Sequence, residues 1–111
     1  MSDISGKVFS YLGFAKKAGK LKAGVNAIST LRGAIPLMIL CDSASDNTKK
    51  EAAALSKKHG SKLYLSKEVT VEKLVNKENC KLVAVLDDSL AKAIINAINS
   101  LKNDQFVFLE A

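Results

Sequence analysis

The longest apolar run in the sequence, from Ala34 to Cys41, most constrains the fold that this chain can adopt. Its eight residues fall far short of the roughly 20 that a helix needs to cross a bilayer, so it predicts no membrane span. The part from Ile35 to Cys41 carries no polar side chain, which is typical of a central strand covered on both faces. Pro36 lies near its start, where a missing N–H is tolerated. The run therefore predicts a buried strand of a sheet.

Helical and strand patterns alternate along the rest of the chain. The first helix has an apolar stripe at Ile4, Val8, Tyr11, Leu12 and Ala15 and is closed by Gly19. The next predicted elements are a strand over 20–23, a short helix from Gly24 with Ala27, Ile28 and Leu31 on its inner face, and the strand over 35–41. A helix with a Thr48–Glu51 capping box follows and ends at Gly60, and a strand over 62–65 comes after it. The last elements are a weak helix at Val71, Leu74 and Val75, a strand over 81–86, and a helix that is capped by Asp87, Asp88 or Ser89 and has an apolar stripe ending at Leu101.

This order predicts an α/β fold, a three-layer α/β/α sandwich with a small mixed four-stranded sheet. The length of 111 residues supports a single domain over residues 1–111. Residues 104–111 include the apolar stretch Phe106 to Leu109, so we expect this C-terminal extension to dock on the body of the domain, as an added strand rather than a loose tail.

The distribution of charge is more informative than the net charge of +6. Residues 1–33 contain six basic residues and one acidic residue, and no acid lies between Ile4 and Arg32. Such a basic segment predicts a polyanionic partner, either nucleic acid or an acidic surface. The alternative is that a lysine-rich composition only keeps a small protein soluble.

Several classes of protein are disfavoured. Cys41 and Cys80 are too few for a disulfide framework and are predicted to be buried free thiols. With a single histidine and no C-x-x-C, we predict no metal site and no cofactor. The N-terminus does not have the pattern of a secretory signal, so we expect a cytoplasmic protein.

No catalytic constellation is visible in the sequence, and we predict that the chain is not an enzyme. His59 is expected to be a surface or edge residue near a helix end. Ser43 and Ser45 lack any nearby base, and Asp87 and Asp88 are better explained as caps than as a catalytic pair. A nucleotide site is a minor alternative, because no second glycine and no placed acid accompany Gly24.

The stretch from Lys20 to Arg32 is the best candidate site. A strand that ends in Gly24 and opens directly into a helix presents backbone N–H groups to an anion. Outward-facing Asn26 and Thr30 can hydrogen-bond base edges, and we call Lys20, Lys22 and Arg32 the basic shelf. The alternative interpretation is that Gly24 is only a turn and Asn26 a helix cap. The predicted RNA-binding residues are Lys20, Lys22, Gly24, Val25, Asn26, Ser29, Thr30 and Arg32.

Three features of the sequence resemble a known family: the motif AKKAGKLKAG at 15–24, the motif SASDNTKK at 43–50, and the order of the predicted helices and strands. The chain is similar to the L-seven-Ae and L-thirty-e ribosomal-protein family, particularly its bacterial YlxQ-type RNA-binding members, from about Phe9 to Leu101. The resemblance implies an α/β/α sandwich whose partner is kink-turn RNA. It assigns the motif glycine to Gly24 and the base-reading residue two places later to Asn26.

The sequence departs from the family pattern at three places. The family usually has Glu or Gln and then Lys where this chain has Ala27 and Thr30. The loop that approaches an extruded nucleotide in the family corresponds here to the polar stretch Asn76–Cys80, which has no glycine. We therefore expect RNA binding that depends more on phosphate contacts, weakens steeply with salt and discriminates less between RNAs.

An alternative function belongs to a different class. Some relatives of this superfamily act through protein partners, and an exposed Phe106–Leu109 segment would suit strand addition or a homodimer. In that hypothesis the chain is a protein-interaction module that has lost specific kink-turn recognition.

Overall fold

The computed structural model describes residues 3–67, 81–99 and 106–109 of the chain, which contain four helices and five strands. The helices are α1 (Asp3–Lys17), α2 (Val25–Ser29), α3 (Asp46–His59) and α4 (Asp88–Asn99). The strands are β1 (Leu21–Ala23), β2 (Leu37–Cys41), β3 (Lys62–Ser66), β4 (Leu82–Val85) and β5 (Phe106–Leu109). None of these helices is long and apolar enough to span a membrane. The predicted α/β class is confirmed.

The strands form one mixed sheet in the order β1-β4-β2-β3-β5. β2 and β3 run parallel, with Leu37 opposite Lys62 and Cys41 opposite Ser66, while the other three pairings are antiparallel. Parallel neighbours need a crossover connection, which α3 supplies between these two strands. β2 lies in the middle of the sheet and all five of its side chains are buried, as its uninterrupted apolar sequence predicted.

Alternate side chains of β2 enter two separate apolar clusters. Leu37, Ile39 and Cys41 belong to the cluster that includes residues of α1 and α4. Met38 and Leu40 belong to the cluster that includes residues of α2 and α3. Because burying one such side chain stabilises the fold by roughly 1.5–3 kcal/mol, this short strand contributes strongly to both clusters.

The sheet has five strands, so the prediction of four is wrong. The fifth, β5, pairs antiparallel with β3 and places Phe108 opposite Tyr64. The two rings lie 5.3 Å apart between centroids, and burial raises the pKa of the Tyr64 hydroxyl above its usual value. The expectation that the C-terminal extension docks as a strand is confirmed for Phe106–Leu109. The apolar pattern of this segment marked it as a strand candidate but did not indicate which edge of the sheet it would join.

Most helix ends lie where local sequence signals place them. Gly19 and Gly60 follow α1 and α3 with φ values of 72° and 63°, a left-handed conformation that glycine adopts at little cost. The Asp87 carboxylate accepts a hydrogen bond from the Leu90 amide at 2.9 Å, which selects Asp87 among the three predicted caps of the last helix.

The start of α3 was predicted three residues too late. The helix begins at Asp46, and the Ser45 hydroxyl accepts a hydrogen bond from the Thr48 amide at 3.1 Å. Thr48 therefore lies within the first turn, and the Glu51 carboxylate accepts from the Asn47 side chain at 3.2 Å instead of completing a box with Thr48. The predicted Thr48–Glu51 capping box is wrong because the Thr48 amide, which would donate to the Glu51 side chain in such a box, donates to Ser45 instead.

This cap gives a direct stability test. We expect Ser45→Ala to lower the free energy of unfolding by about 1 kcal/mol, because the Thr48 amide loses its acceptor. Urea denaturation followed by circular dichroism measures the change. Ser45→Asp, which retains an acceptor, serves as the control, and equal losses in both variants would contradict the capping role.

Some predicted features lie outside the described residues: the weak helix at Val71, Leu74 and Val75, the loop Asn76–Cys80, and Leu101 at the end of the last stripe. For the cysteines, the prediction can be compared with the structure only at Cys41, which is buried as expected.

Candidate nucleic-acid interface

The connection from β1 to α2 has an open glycine at its centre. Gly24 is the N-cap of α2, with a φ of 96° and a ψ of 146°, a conformation that is essentially restricted to glycine. A Cβ built at Gly24 would meet no atom of the described residues within 4 Å beyond its chain neighbours, so the described part of the protein leaves this position open. Its amide donates to the Leu82 carbonyl at 2.8 Å, and an anion would therefore be met by the amides that follow Gly24 rather than by its own.

The two lysines of the basic shelf that precede Gly24 are exposed at one edge of the sheet. Leu21 and Ala23 pack on the cluster of α1 and α4. Because side chains alternate along a strand, Lys22 lies on the opposite face of β1, on the side where α2 packs. Lys20 is two positions before Lys22, so the same alternation places it on the same face. The Lys20 carbonyl accepts from the Leu86 amide at 2.8 Å, which continues the pairing of β1 with β4.

α2 is shorter than predicted, and its length changes which side chains face solvent. It has five residues, of which Ile28 is fully buried and Val25 is half-buried. Ala27 is exposed, so its predicted place on the inner face is wrong. Because α2 is little more than one turn long, only Val25 and Ile28, which are three positions apart, reach the core. A helix of this length sums few peptide dipoles, so recognition must depend mainly on side chains and net charge.

Asn26, Ser29 and Thr30, the predicted polar residues of this segment, are all exposed, but the hydroxyl groups of Ser29 and Thr30 already donate hydrogen bonds within the segment. Ser29 donates to the Asn26 carbonyl at 2.7 Å, and Thr30 donates to the Ala27 carbonyl at 2.8 Å. Their oxygens remain available only as acceptors. Among the described residues, the side-chain amide of Asn26 has no hydrogen-bond partner, so Asn26 is the side chain here best able to read a base edge.

The third member of the basic shelf, Arg32, lies beyond α2 at the rim of an open cleft of about 400 Å³. The other lining residues are Leu31, Gly33, Ala34, Lys58 and His59. The structure thus adds Lys58, an exposed cation from the end of α3, to the predicted basic residues. The only sequence signal for it was the basic last turn of α3, which is usually explained by the helix dipole.

His59 is buried, with 4% of its surface exposed, so its predicted surface position is wrong. Its Nδ1 lies 2.7 Å from the Gly33 carbonyl, and its own carbonyl accepts from the Ile35 amide at 3.1 Å. Two hydrogen bonds therefore tie the end of α3 to the segment that follows Arg32. A contact across 26 residues leaves no local signal in the sequence, which is why the position was predicted incorrectly.

The basic shelf is neither neutralised nor covered by the parts of the protein that the structure describes. No carboxylate in residues 7–67, 81–99 or 106–109 forms an ion pair with Lys20, Lys22 or Arg32. The C-terminal strand β5 lies at the opposite edge of the sheet from β1, so it does not cover the shelf. The local field at β1 therefore remains positive and accessible to a polyanion.

Ser43 has a contact with a lysine that the sequence did not indicate. The Lys81 ammonium donates to the Ser43 hydroxyl at 3.2 Å, and the Ser43 hydroxyl also lies 2.9 Å from the Cys41 sulfur. Lys81 comes close because it directly precedes β4, which pairs with β2. An ammonium group donates but cannot accept a proton, so this contact fastens the loop after β2. In the described part of the chain, no three His, Cys, Asp or Glu side chains are grouped so that they could hold a metal ion.

Comparison with known proteins supports the fold. No protein-family model and no curated protein matches the chain. Among solved structures, a protein of unknown function from Bacillus halodurans is similar, with a TM-score of 0.68 and 21% sequence identity over 85% of this chain and 98% of that chain. At this identity the similarity shows a shared fold.

Proposed function

We propose that this chain is a cytoplasmic RNA-binding protein that holds structured RNA against the basic shelf and the β1–α2 connection. The observation that carries the proposal is the pair of exposed lysines, Lys20 and Lys22, which lead directly to the open space at Gly24 without a described carboxylate to neutralise them. This arrangement suits binding rather than catalysis.

RNA fits this surface better than an acidic protein because of Asn26. A phosphate and a carboxylate can both approach the open backbone at Gly24, but the side-chain amide of Asn26, which has no partner among the described residues, can in addition hydrogen-bond a base edge. Lys22 lies on the same side of the sheet as α2, so one strand of RNA can contact both. Phosphate contacts of this type supply most of the affinity in nonspecific nucleic-acid binding.

We also propose the finer fold and the family that the sequence resembles. Helices that belong to clusters on alternate sides of β2 support a three-layer α/β/α sandwich. Gly24 at the start of α2 and the unpartnered amide of Asn26 support a member of the L-seven-Ae and L-thirty-e family, with kink-turn RNA as the ligand.

The described geometry favours affinity over discrimination. Ala27 faces solvent but carries no polar side chain, and the Thr30 hydroxyl donates to the Ala27 carbonyl. Each bidentate base contact that is absent removes roughly 1–3 kcal/mol of discrimination. We therefore propose a moderate preference for the bent RNA over an unbent duplex.

A gel-shift comparison tests this function. The full chain is titrated against a kink-turn RNA and against an unbent duplex of the same length. Tighter binding of the bent RNA supports family-type recognition, equal binding supports a general RNA-binding surface, and absence of binding to both at low salt contradicts the proposal.

Asn26→Ala separates base reading from phosphate binding. We expect the variant to lose about fivefold in affinity for the kink-turn RNA, equivalent to roughly 1 kcal/mol, and to bind the unbent duplex as before. Asn96→Ala, which removes an exposed asparagine from α4, is the matched control and should change neither. An equal loss for both RNAs in Asn26→Ala would contradict base reading by this residue.

One observation favours the second candidate, a protein-interaction module. β5 is the last strand of the sheet order, and Phe108 on it is about half exposed, as strand addition or dimerisation requires. Light scattering of the free protein tests this alternative, because a stable dimer with no RNA binding would favour it over the RNA proposal.

A further inference from the structure

The outer surface of α1 carries two large apolar side chains that the fold does not use. Phe9 is 51% exposed and Phe14 is 59% exposed, whereas the inner side of the helix already contributes Val8, Leu12 and Ala15 to the core. Phe108, the other described large apolar residue with comparable exposure, packs against Tyr64 with the two rings tilted by 59°. No ring contact of this kind joins Phe9 or Phe14 to another described aromatic residue. More than half of each of these two side chains is therefore left exposed to solvent.

Lysines accompany the exposed ring of Phe14 along the helix. Lys7 precedes it by seven residues and Lys17 follows it by three, and both are exposed. At about 100° per residue these three side chains fall within a sector of roughly 80° on one face of the helix. Alternation of cations with an aromatic face is the pattern that binds single-stranded nucleic acid, where lysines neutralise phosphates and the ring stacks on a base.

This face is close in sequence to the basic shelf. The Lys20 amide donates to the Ala15 carbonyl at 2.8 Å, so the chain turns directly from the last turn of α1 towards β1. The shelf lysines Lys20 and Lys22 lie on the α2 side of the sheet and α1 packs on the other side, so the edge strand β1 separates the two surfaces. A strand of RNA that leaves the shelf at Lys20 therefore has to pass around the β1 edge of the sheet to reach Lys17 and Phe14.

We propose that the Phe14 face of α1, defined by Lys7, Phe14 and Lys17, binds unpaired nucleotides that flank the structured RNA, by stacking a base on the Phe14 ring. This inference rests on the RNA-binding function proposed above. An acidic protein helix is the competing occupant, but the described charges of this face suit any anion, whereas the flat exposed ring between two cations specifically suits a base with a phosphate on each side.

The absence of tryptophan from the sequence allows a direct measurement. Phe14→Trp introduces a single indole that stacks on a base and whose fluorescence reports the contact. We expect fluorescence quenching when a kink-turn RNA with an unpaired adenosine-rich extension is added, and little change with the blunt-ended form of the same RNA. Phe108→Trp, at the opposite edge of the sheet, is the matched control and should respond to neither.

Affinities complete the test. Wild type and Phe14→Trp should bind the extended RNA roughly tenfold more tightly than the blunt RNA, and Phe14→Ala and Phe14→Leu should both lose this advantage while they retain blunt-RNA affinity. Retention of the advantage in Phe14→Ala, or in Phe14→Leu, overturns base stacking while the RNA-binding function stands. A change in sedimentation of Phe14→Ala without any change in RNA affinity overturns it in favour of a protein interface. Failure of wild type to bind either RNA at low salt overturns the function itself.

Discussion

Simultaneous replacement of Lys20 and Lys22 by glutamate is expected to weaken binding of every RNA by about 100-fold. Each reversal converts an attraction of the order of 1 kcal/mol, the energy of two unit charges about 4 Å apart in water, into a repulsion of similar size. Two reversals give roughly 4 kcal/mol, which screening by salt and solvent reduces to about 3 kcal/mol, or about two factors of ten in the dissociation constant. The loss should be the same for bent and unbent RNA, because phosphates are common to both.

The salt dependence gives an independent measure of the same contacts. A plot of log affinity against log salt concentration should become shallower by about one for each phosphate contact removed, hence by about two in the double variant. Lys62→Glu with Lys67→Glu is the charge-matched control, since both lysines are exposed at the ends of β3, away from β1. Equal losses in the two double variants would show that total charge, and not the basic shelf, determines binding.

Gly24→Val is expected to reduce both stability and RNA binding. At a φ of 96° and a ψ of 146° a residue with a side chain is strained, at a cost of roughly 1–3 kcal/mol in the free energy of unfolding. A Cβ at this position meets no atom of the described residues within 4 Å, so the valine side chain starts into the open space where we place a phosphate. The first effect is measured by urea denaturation, and the second by RNA titration under conditions in which the variant is fully folded.

Gly24→Ala separates these two effects. Alanine has nearly the same backbone strain as valine but adds less bulk, so the two variants should lose similar stability while valine loses more affinity. If folded Gly24→Val binds RNA as tightly as wild type, no phosphate approaches this glycine and the site must be placed elsewhere.

Local signals in the sequence were sufficient for several features of the fold. Gly19 and Gly60 terminate helices as predicted, because the left-handed conformation is a property of a single residue and its neighbours. The position of Ser45 shows the limit of such signals. Ser45 and Thr48 are both acceptable caps by residue type, and only the position of the first helical turn distinguishes them.

Features that depend on contacts between distant residues could not be predicted in this way. The buried position of His59 follows from its contact with Gly33, and the pairing of β5 with β3 joins segments that are more than 40 residues apart. Within the candidate site, the exposure of Lys20, Lys22 and Asn26 agrees with the alternation and helical spacing of the sequence. The exposure of Ala27 could not be predicted from that spacing, because it depends on where α2 ends. The presence of Lys58 beside Arg32 could not be predicted either, because it depends on how α3 packs.

The pairing of β5 with β3 has a practical consequence for work with this protein. β5 covers the main-chain groups along one side of β3, a strand whose Leu63 and Tyr64 are buried. A shortened chain that lacked Phe106–Leu109 would leave that side as an unprotected strand edge, which favours aggregation. Truncation from the C-terminus would therefore compromise solubility before it affected the proposed RNA-binding surface, whereas affinity tags attached beyond β5 would stand at the far side of the sheet from Lys20 and Lys22.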